Sequence, residues 1–157
     1  MMKIELWVIG KTTFSYLEEG IALYEKRLKH YVHFDLVVLP DMKNPPLSIE
    51  ALKIKEGELL LNKLSKDDYL ILLDEKGKEL TSIDFSKFIA QQQVNAVKRI
   101  IFQIGGAYGF SDAVYARANR EMSLSKMTFS HLMVRLFFVE QLYRAFTILK
   151  GEKYHNE

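Results

Sequence analysis

Apolar and polar positions fall along this chain in alternating blocks, and the period of each block predicts an element. Lys3 to Ile9 is apolar and rich in β-forming residues, ends at Gly10 and reads as a first strand. From Phe14 to His30, Leu17, Ile21, Tyr24 and Leu28 recur at helical spacing. Phe34 to Leu39 predicts a second strand, stopped by Pro40, and Asp41 to Pro46 a proline-bearing loop. Leu47 to Leu64 follows as a helix charged on one face. Tyr69 to Leu73 is a continuous apolar run, as expected of a buried parallel strand. Asp74 to Lys78 reads as a turn around Gly77. Thr81 to Asp84 resembles a capping box opening a helix through about Asn95. Arg99 to Ile104 is another apolar strand, followed by the glycine-rich turn Gly105 to Gly109. Ser111 caps a short helix through Ala118, and Glu121 to Leu124 is a short fifth strand. His131 to Lys150 is a last helix, apolar almost all round and ended by Gly151. Alternating strands and helices predict an α/β fold, with a mainly parallel sheet covered on both faces.

Composition narrows the class. A chain of 157 residues suggests one domain spanning 1–157, large enough to bury its own core. It contains no cysteine, so thiol chemistry and thiolate zinc sites are excluded. Four histidines without an H-E-x-x-H pattern predict no metal site. No leader or membrane-spanning run is expected, and a cytoplasmic protein is the default. The formal net charge of +2 is small for a nucleic-acid binder. An RNA substrate would therefore have to be recognised partly through shape or a larger partner.

Ligands of parallel α/β sheets sit beyond the carboxyl ends of the strands. Three such ends stand out: Leu73-Asp74, Ile104-Gly105-Gly106 and Leu124-Ser125. Gly105, Gly106 and Gly109 form G-G-x-x-G rather than the dinucleotide fingerprint, which argues against an enzyme using another nucleotide cofactor there. The segment Met122 to His131 carries hydroxyls at Ser123, Ser125, Thr128 and Ser130. It lacks Gly, Pro, Asn and Asp, and so reads as ordered, with polar groups held for a ligand. His131 opens the last helix with Arg135 one turn on, and Glu140 and Arg144 share the same spacing. The apolar breadth of this helix predicts burial against a second subunit. The tail Tyr154-His155-Asn156 is expected to fray.

Taken in order, these features resemble the family of ribosomal RNA large subunit methyltransferase H, small SPOUT-class enzymes. The resemblance runs through Leu6 to Lys11, Lys55-Glu56-Gly57, Leu73-Asp74 with Gly77-Lys78, and Ile104-Gly105-Gly106 with Gly109. It continues through Ser123 to Thr128, His131, Arg135, Glu140 to Ala145 and Tyr154-His155. Ser130 stands where the family usually has proline, and Asn156 where its tail often has a basic residue.

The resemblance implies a fold with a C-terminal trefoil knot and S-adenosylmethionine as cofactor. It places cofactor contacts at Leu73, Gly105, Leu124, Ser125, Lys126, Met127, Thr128 and Phe129. It implies methylation of N3 of a pseudouridine in the helix 69 loop of 23S rRNA, within the assembled ribosome. A homodimer follows, in which the tail of one subunit completes the pocket of the other. His131, His155 and Glu140 are then candidates for removing the N3 proton, Arg135 for stabilising charge on the base, and Tyr154 for stacking on it. The alternative is a non-catalytic ribosome- or RNA-binding module that keeps the fold.

Overall fold

A computed structural model describes residues 2–42, 44–106 and 108–156. The strands are β1 (Lys3–Ile9), β2 (His33–Leu39), β3 (Tyr69–Glu79), β4 (Arg99–Ile104) and β5 (Arg120–Ser123). They form one sheet in the order β2-β1-β4-β3-β5, and every pairing is parallel. The helices are α1 (Ser15–Leu28), α2 (Ile49–Lys63), α3 (Ser82–Val94), α4 (Asp112–Arg117) and α5 (His131–Leu149).

Strand periodicity sorts the core into two layers. Ile4, Leu6 and Val8 of β1, with Ile100, Phe102 and Ile104 of β4, face the layer shared with α1, α3 and α5. Trp7, Leu70, Leu72 and Ile101 face the opposite layer, closed by Leu60 of α2 and Val114 of α4. Both faces of the sheet are therefore covered, as the sequence predicts.

Local chemistry sets the element ends. Ser48, Thr81 and Ser111 accept hydrogen bonds from the backbone N–H three residues on, which caps α2, α3 and α4. Ser130 caps α5 by accepting from Leu132 N at 3.3 Å. The serine at the family's proline position therefore has a definite local role. Gly151, at φ +68°, turns the chain out of α5, with Glu152 N bonded to Thr147 O at 2.9 Å.

Three expectations change. The turn predicted at Asp74 to Lys78 lies inside a longer β3. Leu73 and Lys78 both align with Met122 of β5, so residues 74–77 bulge out between them. Gly77 is required there, because a Cβ would lie 2.6 Å from the Met122 backbone nitrogen. The apolar breadth of α5 is met largely within the chain: Phe138, Val139, Leu142, Ala145 and Phe146 are buried against the sheet. Phe137 and Leu149 stay exposed. The tail does not fray but forms a 3-10 turn, Lys153–Asn156, packed on α5. The Tyr154 ring stands edge-on to Tyr143, with centroids 4.8 Å apart.

Candidate functional site

The carboxyl ends of β3, β4 and β5 open into one cleft of about 490 Å³. Leu73 and the bulge residues Asp74, Glu75 and Lys76 form one wall, and Gly105, Gly106 and Phe110 a second. The loop from Leu124 to Ser130, leading into His131 and Val134, forms the third. Of the residues expected to hold a cofactor, Leu73, Gly105, Leu124, Ser125, Met127, Thr128 and Phe129 line this cleft. Lys126 does not. Its side chain is 90 % exposed, with Nζ 4.0 Å from Glu79.

The hydroxyls of the third wall serve the loop itself. Ser123 Oγ donates to Ser125 O at 2.7 Å and accepts from Ser125 N. Ser125 Oγ accepts from Met127 N at 2.9 Å. Both roles of the Ser123 hydroxyl are taken up within the loop, whereas Ser125 Oγ only accepts there and keeps its proton to donate into the cleft. Thr128 Oγ1 reaches across and donates to Glu75 Oε2 at 3.2 Å, joining the loop to the β3 bulge.

The glycines of the second wall have packing reasons of their own. A Cβ on Gly105 would lie 3.0 Å from the Phe110 ring, and one on Gly106 would lie 2.9 Å from the Glu56 carboxylate. Gly109, at φ +85°, closes the turn by bonding to Gly106 O at 3.2 Å. A Cβ on Gly57 would lie 2.6 Å from Ser111 Oγ, so the K-E-G run lets α2 lie close against the start of α4.

A second cavity of about 280 Å³ shares Gly106, Tyr108 and His131 with the cleft and adds Asp41 and Glu56. Burial, with the like charge of Asp41, raises the Glu56 pKa above the ordinary carboxylate value.

The five candidates for chemistry do not meet within one chain. His131 stands at the rim of the cleft. Arg135 is 1 % exposed and turns away to the end of β1. It donates to Ile9 O at 2.8 Å, Gly10 O at 2.9 Å and Thr12 Oγ1 at 3.1 Å. Burial pushes its pKa down, opposed by the charge of Asp41. The expectation that Arg135 faces a substrate base gives way to a structural anchor for the Gly10 turn. Glu140 lies about 13 Å along the helix axis from His131. There its Oε2 accepts from Tyr154 Oη at 2.7 Å and from Arg144 Nη2 at 2.8 Å. Arg144 Nη1 stands 3.2 Å from His155 Nδ1, and Tyr24 Oη 3.2 Å from Tyr154 Oη. Burial, then the bonds to Tyr24 and Glu140, hold the Tyr154 phenol protonated far above its ordinary pKa.

A family model described as "Predicted SPOUT methyltransferase" matches residues 2–155. This chain belongs to the SPOUT methyltransferase family. It is 56 % identical to a ribosomal RNA large subunit methyltransferase H of Cytophaga hutchinsonii, an alignment covering 99 % of this chain and 100 % of that protein. It is 55 % identical to the protein of that name from Parabacteroides distasonis, over 99 % and 100 % of the two chains. The corresponding Christiangramia forsetii protein is 53 % identical over 99 % of each.

The cleft suits a SPOUT methyl donor such as S-adenosylmethionine. Its volume falls in the range of about 300–1,000 Å³ usual for small-molecule sites. Leu73, Ile104, Phe110 and Leu124 offer apolar surface for a flat base, and Asp74 and the loop backbone offer polar partners. Among the described residues no helix is long and apolar enough to cross a membrane, and no group of three or more His, Asp or Glu side chains could hold a metal ion. The sequence missed one pairing in this site, between Asp74 and Tyr115. These residues are 41 apart, and no local pattern links them.

Proposed function

We propose that this chain transfers a methyl group from S-adenosylmethionine to N3 of a pseudouridine in the helix 69 loop of 23S rRNA, on the assembled ribosome. The observation that carries the reading is the convergence of three strand ends on one cleft of about 490 Å³, in a chain of the SPOUT family. The names of the relatives support a ribosomal RNA substrate. The knot implied by the resemblance belongs to the same proposal. So does a cytoplasmic location, where ribosomes are met.

When bound, the cofactor supplies an electrophilic methyl group, so the protein's work is placement and proton removal. In this reading the backbone of Leu73, Gly105, Leu124, Ser125 and Met127 to Phe129 holds the donor, while Lys126 faces outward toward RNA phosphate. Pseudouridine N3 carries an imide proton that must leave for the nitrogen to react. In this reading His131, at the rim, accepts it.

Glu140, Tyr154 and His155 form a second cluster, bound together through Arg144 and remote from His131 along α5. We assign that cluster to the cleft of a partner subunit, in a homodimer built on α5. Exposed Phe137 on α5 and half-buried Leu136 and Met133 support such a contact. Tyr154 would then stack on the target base, with Glu140 and His155 beside it. Arg135 is a positioning residue that fixes the Gly10 turn.

The test is methyl transfer from labelled S-adenosylmethionine to assembled ribosomes, free large subunits and naked 23S rRNA carrying pseudouridine. The expected result is transfer to assembled ribosomes, with product at N3 of a helix 69 pseudouridine. Donor binding without transfer to any RNA would instead fit the non-catalytic module.

A further inference from the structure

Asp74 is the first residue of the β3 bulge, and its half-buried carboxylate lines the cleft. The carboxylate is held from two sides. Tyr115 of α4 donates its phenol to Oδ2, and the Lys76 backbone N–H donates to Oδ1 at 3.2 Å. Tyr115 is itself braced edge-on by Phe110, with centroids 5.8 Å apart and planes at 85°. Phe110 also lines the cleft and is 7 % exposed. Burial and the bond to Asp74 raise the Tyr115 pKa far above its ordinary value, so the phenol remains a donor.

A carboxylate accepts at about four lone-pair positions, and each oxygen here has accepted one bond. No salt bridge engages Asp74 among the described residues. A fixed acceptor therefore stands beside the apolar surface of Leu73, Ile104 and Phe110. Such a group matches a pair of neutral hydroxyl donors on a sugar that carries a flat base.

We propose that Asp74, oriented by Tyr115, accepts the ribose hydroxyls of the nucleoside part of the methyl donor. This rests on the donor-binding reading above and adds a residue that fixes the nucleoside's orientation. Tyr115 acts through Asp74 and is a positioning residue.

The experiment is calorimetric titration of the full-length protein with three probes: S-adenosylhomocysteine, 5′-methylthioadenosine, which lacks the amino acid group, and 3′-deoxy-5′-methylthioadenosine. The variants are Asp74→Asn and Tyr115→Phe. Loss of a charge-assisted hydrogen bond predicts that Asp74→Asn weakens 5′-methylthioadenosine about tenfold or more. Tyr115→Phe should weaken it by a smaller factor, because the carboxylate remains but is no longer held. The 3′-deoxy probe should bind the wild type more weakly than its parent and bind Asp74→Asn equally to it. Melting temperatures of the ligand-free variants separate loss of fold from loss of binding, and Tyr115→Phe decides if Asp74→Asn does not fold.

Wild-type affinity of both variants for 5′-methylthioadenosine would overturn the assignment and leave the donor reading intact. Weakening of S-adenosylhomocysteine alone would overturn it in favour of a contact to the ligand's ammonium group. Failure of the wild type to bind any probe would overturn the donor reading as well.

Discussion

Tyr154 donates its phenol to Glu140 Oε2 at 2.7 Å, tying the chain's tail to the middle of its last helix. Glu140 also receives Arg144, and the Arg144 guanidinium lies over the Tyr154 ring, 4.8 Å from its centroid. The tail is thus held in one shape. Tyr154→Phe removes the hydrogen bond and keeps the ring, so it should cost only about 1 kcal/mol of stability. Glu140 keeps Arg144 and Gln141 but loses its tie to the tail, and methyl transfer to ribosomes should fall at least about tenfold with donor affinity unchanged. Single-turnover transfer beside calorimetry checks this. Wild-type transfer would remove the Tyr154 hydroxyl from the reaction.

Arg135 makes three hydrogen bonds around the end of β1, two of them to backbone carbonyls. Arg135→Met fills similar space and leaves those buried acceptors unmet, which should cost at least ~2 kcal/mol. Arg135→Lys should recover only part of that, because an ammonium cannot reproduce the guanidinium fork. Urea denaturation of the ligand-free protein measures both. A neutral Arg135→Met would mean that the anchor contributes nothing to stability.

Asp68 and Arg99 form a two-pronged pair beneath β4, with Arg99 Nε 2.8 Å from Asp68 Oδ1 and Nη2 2.5 Å from Oδ2. Burial would raise the Asp68 pKa, but the bonds from Arg99 and from Ser65 N outweigh it, and the pKa is lowered. A carboxyl with a depressed folded-state pKa contributes stability above its unfolded pKa of about 3.9 and loses that contribution as pH falls toward its folded value. Stability should therefore decline as pH drops below about 4. Asp68→Asn should be less stable at neutral pH and show a shallower acid decline. Denaturation midpoints between neutral pH and strong acid check the sign.

Gly77 lets the β3 bulge pass against the β5 backbone, since an added Cβ would lie 2.6 Å from Met122 N and 2.7 Å from its carbonyl carbon. Neither atom is the end of a flexible side chain. Gly77→Ala should push β5 away from β3, costing about 1–3 kcal/mol as overpacking does. The cleft wall begins directly after β5, so donor affinity should fall with stability. An unchanged melting temperature would show that the strands part freely.

The elements easiest to read in the sequence were those whose pattern is local. Arg99–Ile104 is a mainly apolar run and forms β4 with those bounds, and α5 starts at His131 where the apolar stretch begins. The convergence of three strand ends was legible because parallel α/β sheets place ligands there. Long-range contacts were not legible. Arg135 shares the spacing of a substrate-facing residue with His131, yet it is buried against a turn 125 residues away. The tail looked free, because the tyrosine pair and carboxylate that hold it are distant in the sequence. The β3 bulge looked like a turn, because a glycine between charged residues marks both, and only the pairing with β5 separates them.

The methyl donor of this protein is proposed to occupy the cleft at the ends of β3, β4 and β5. Backbone hydrogen exchange, measured with and without S-adenosylmethionine, tests it most directly. Residues 73–76, 105–106 and 124–130 should slow together at donor concentrations that saturate calorimetric binding. Saturable binding with protection elsewhere, or no binding at all, would mean that the donor does not occupy this cleft.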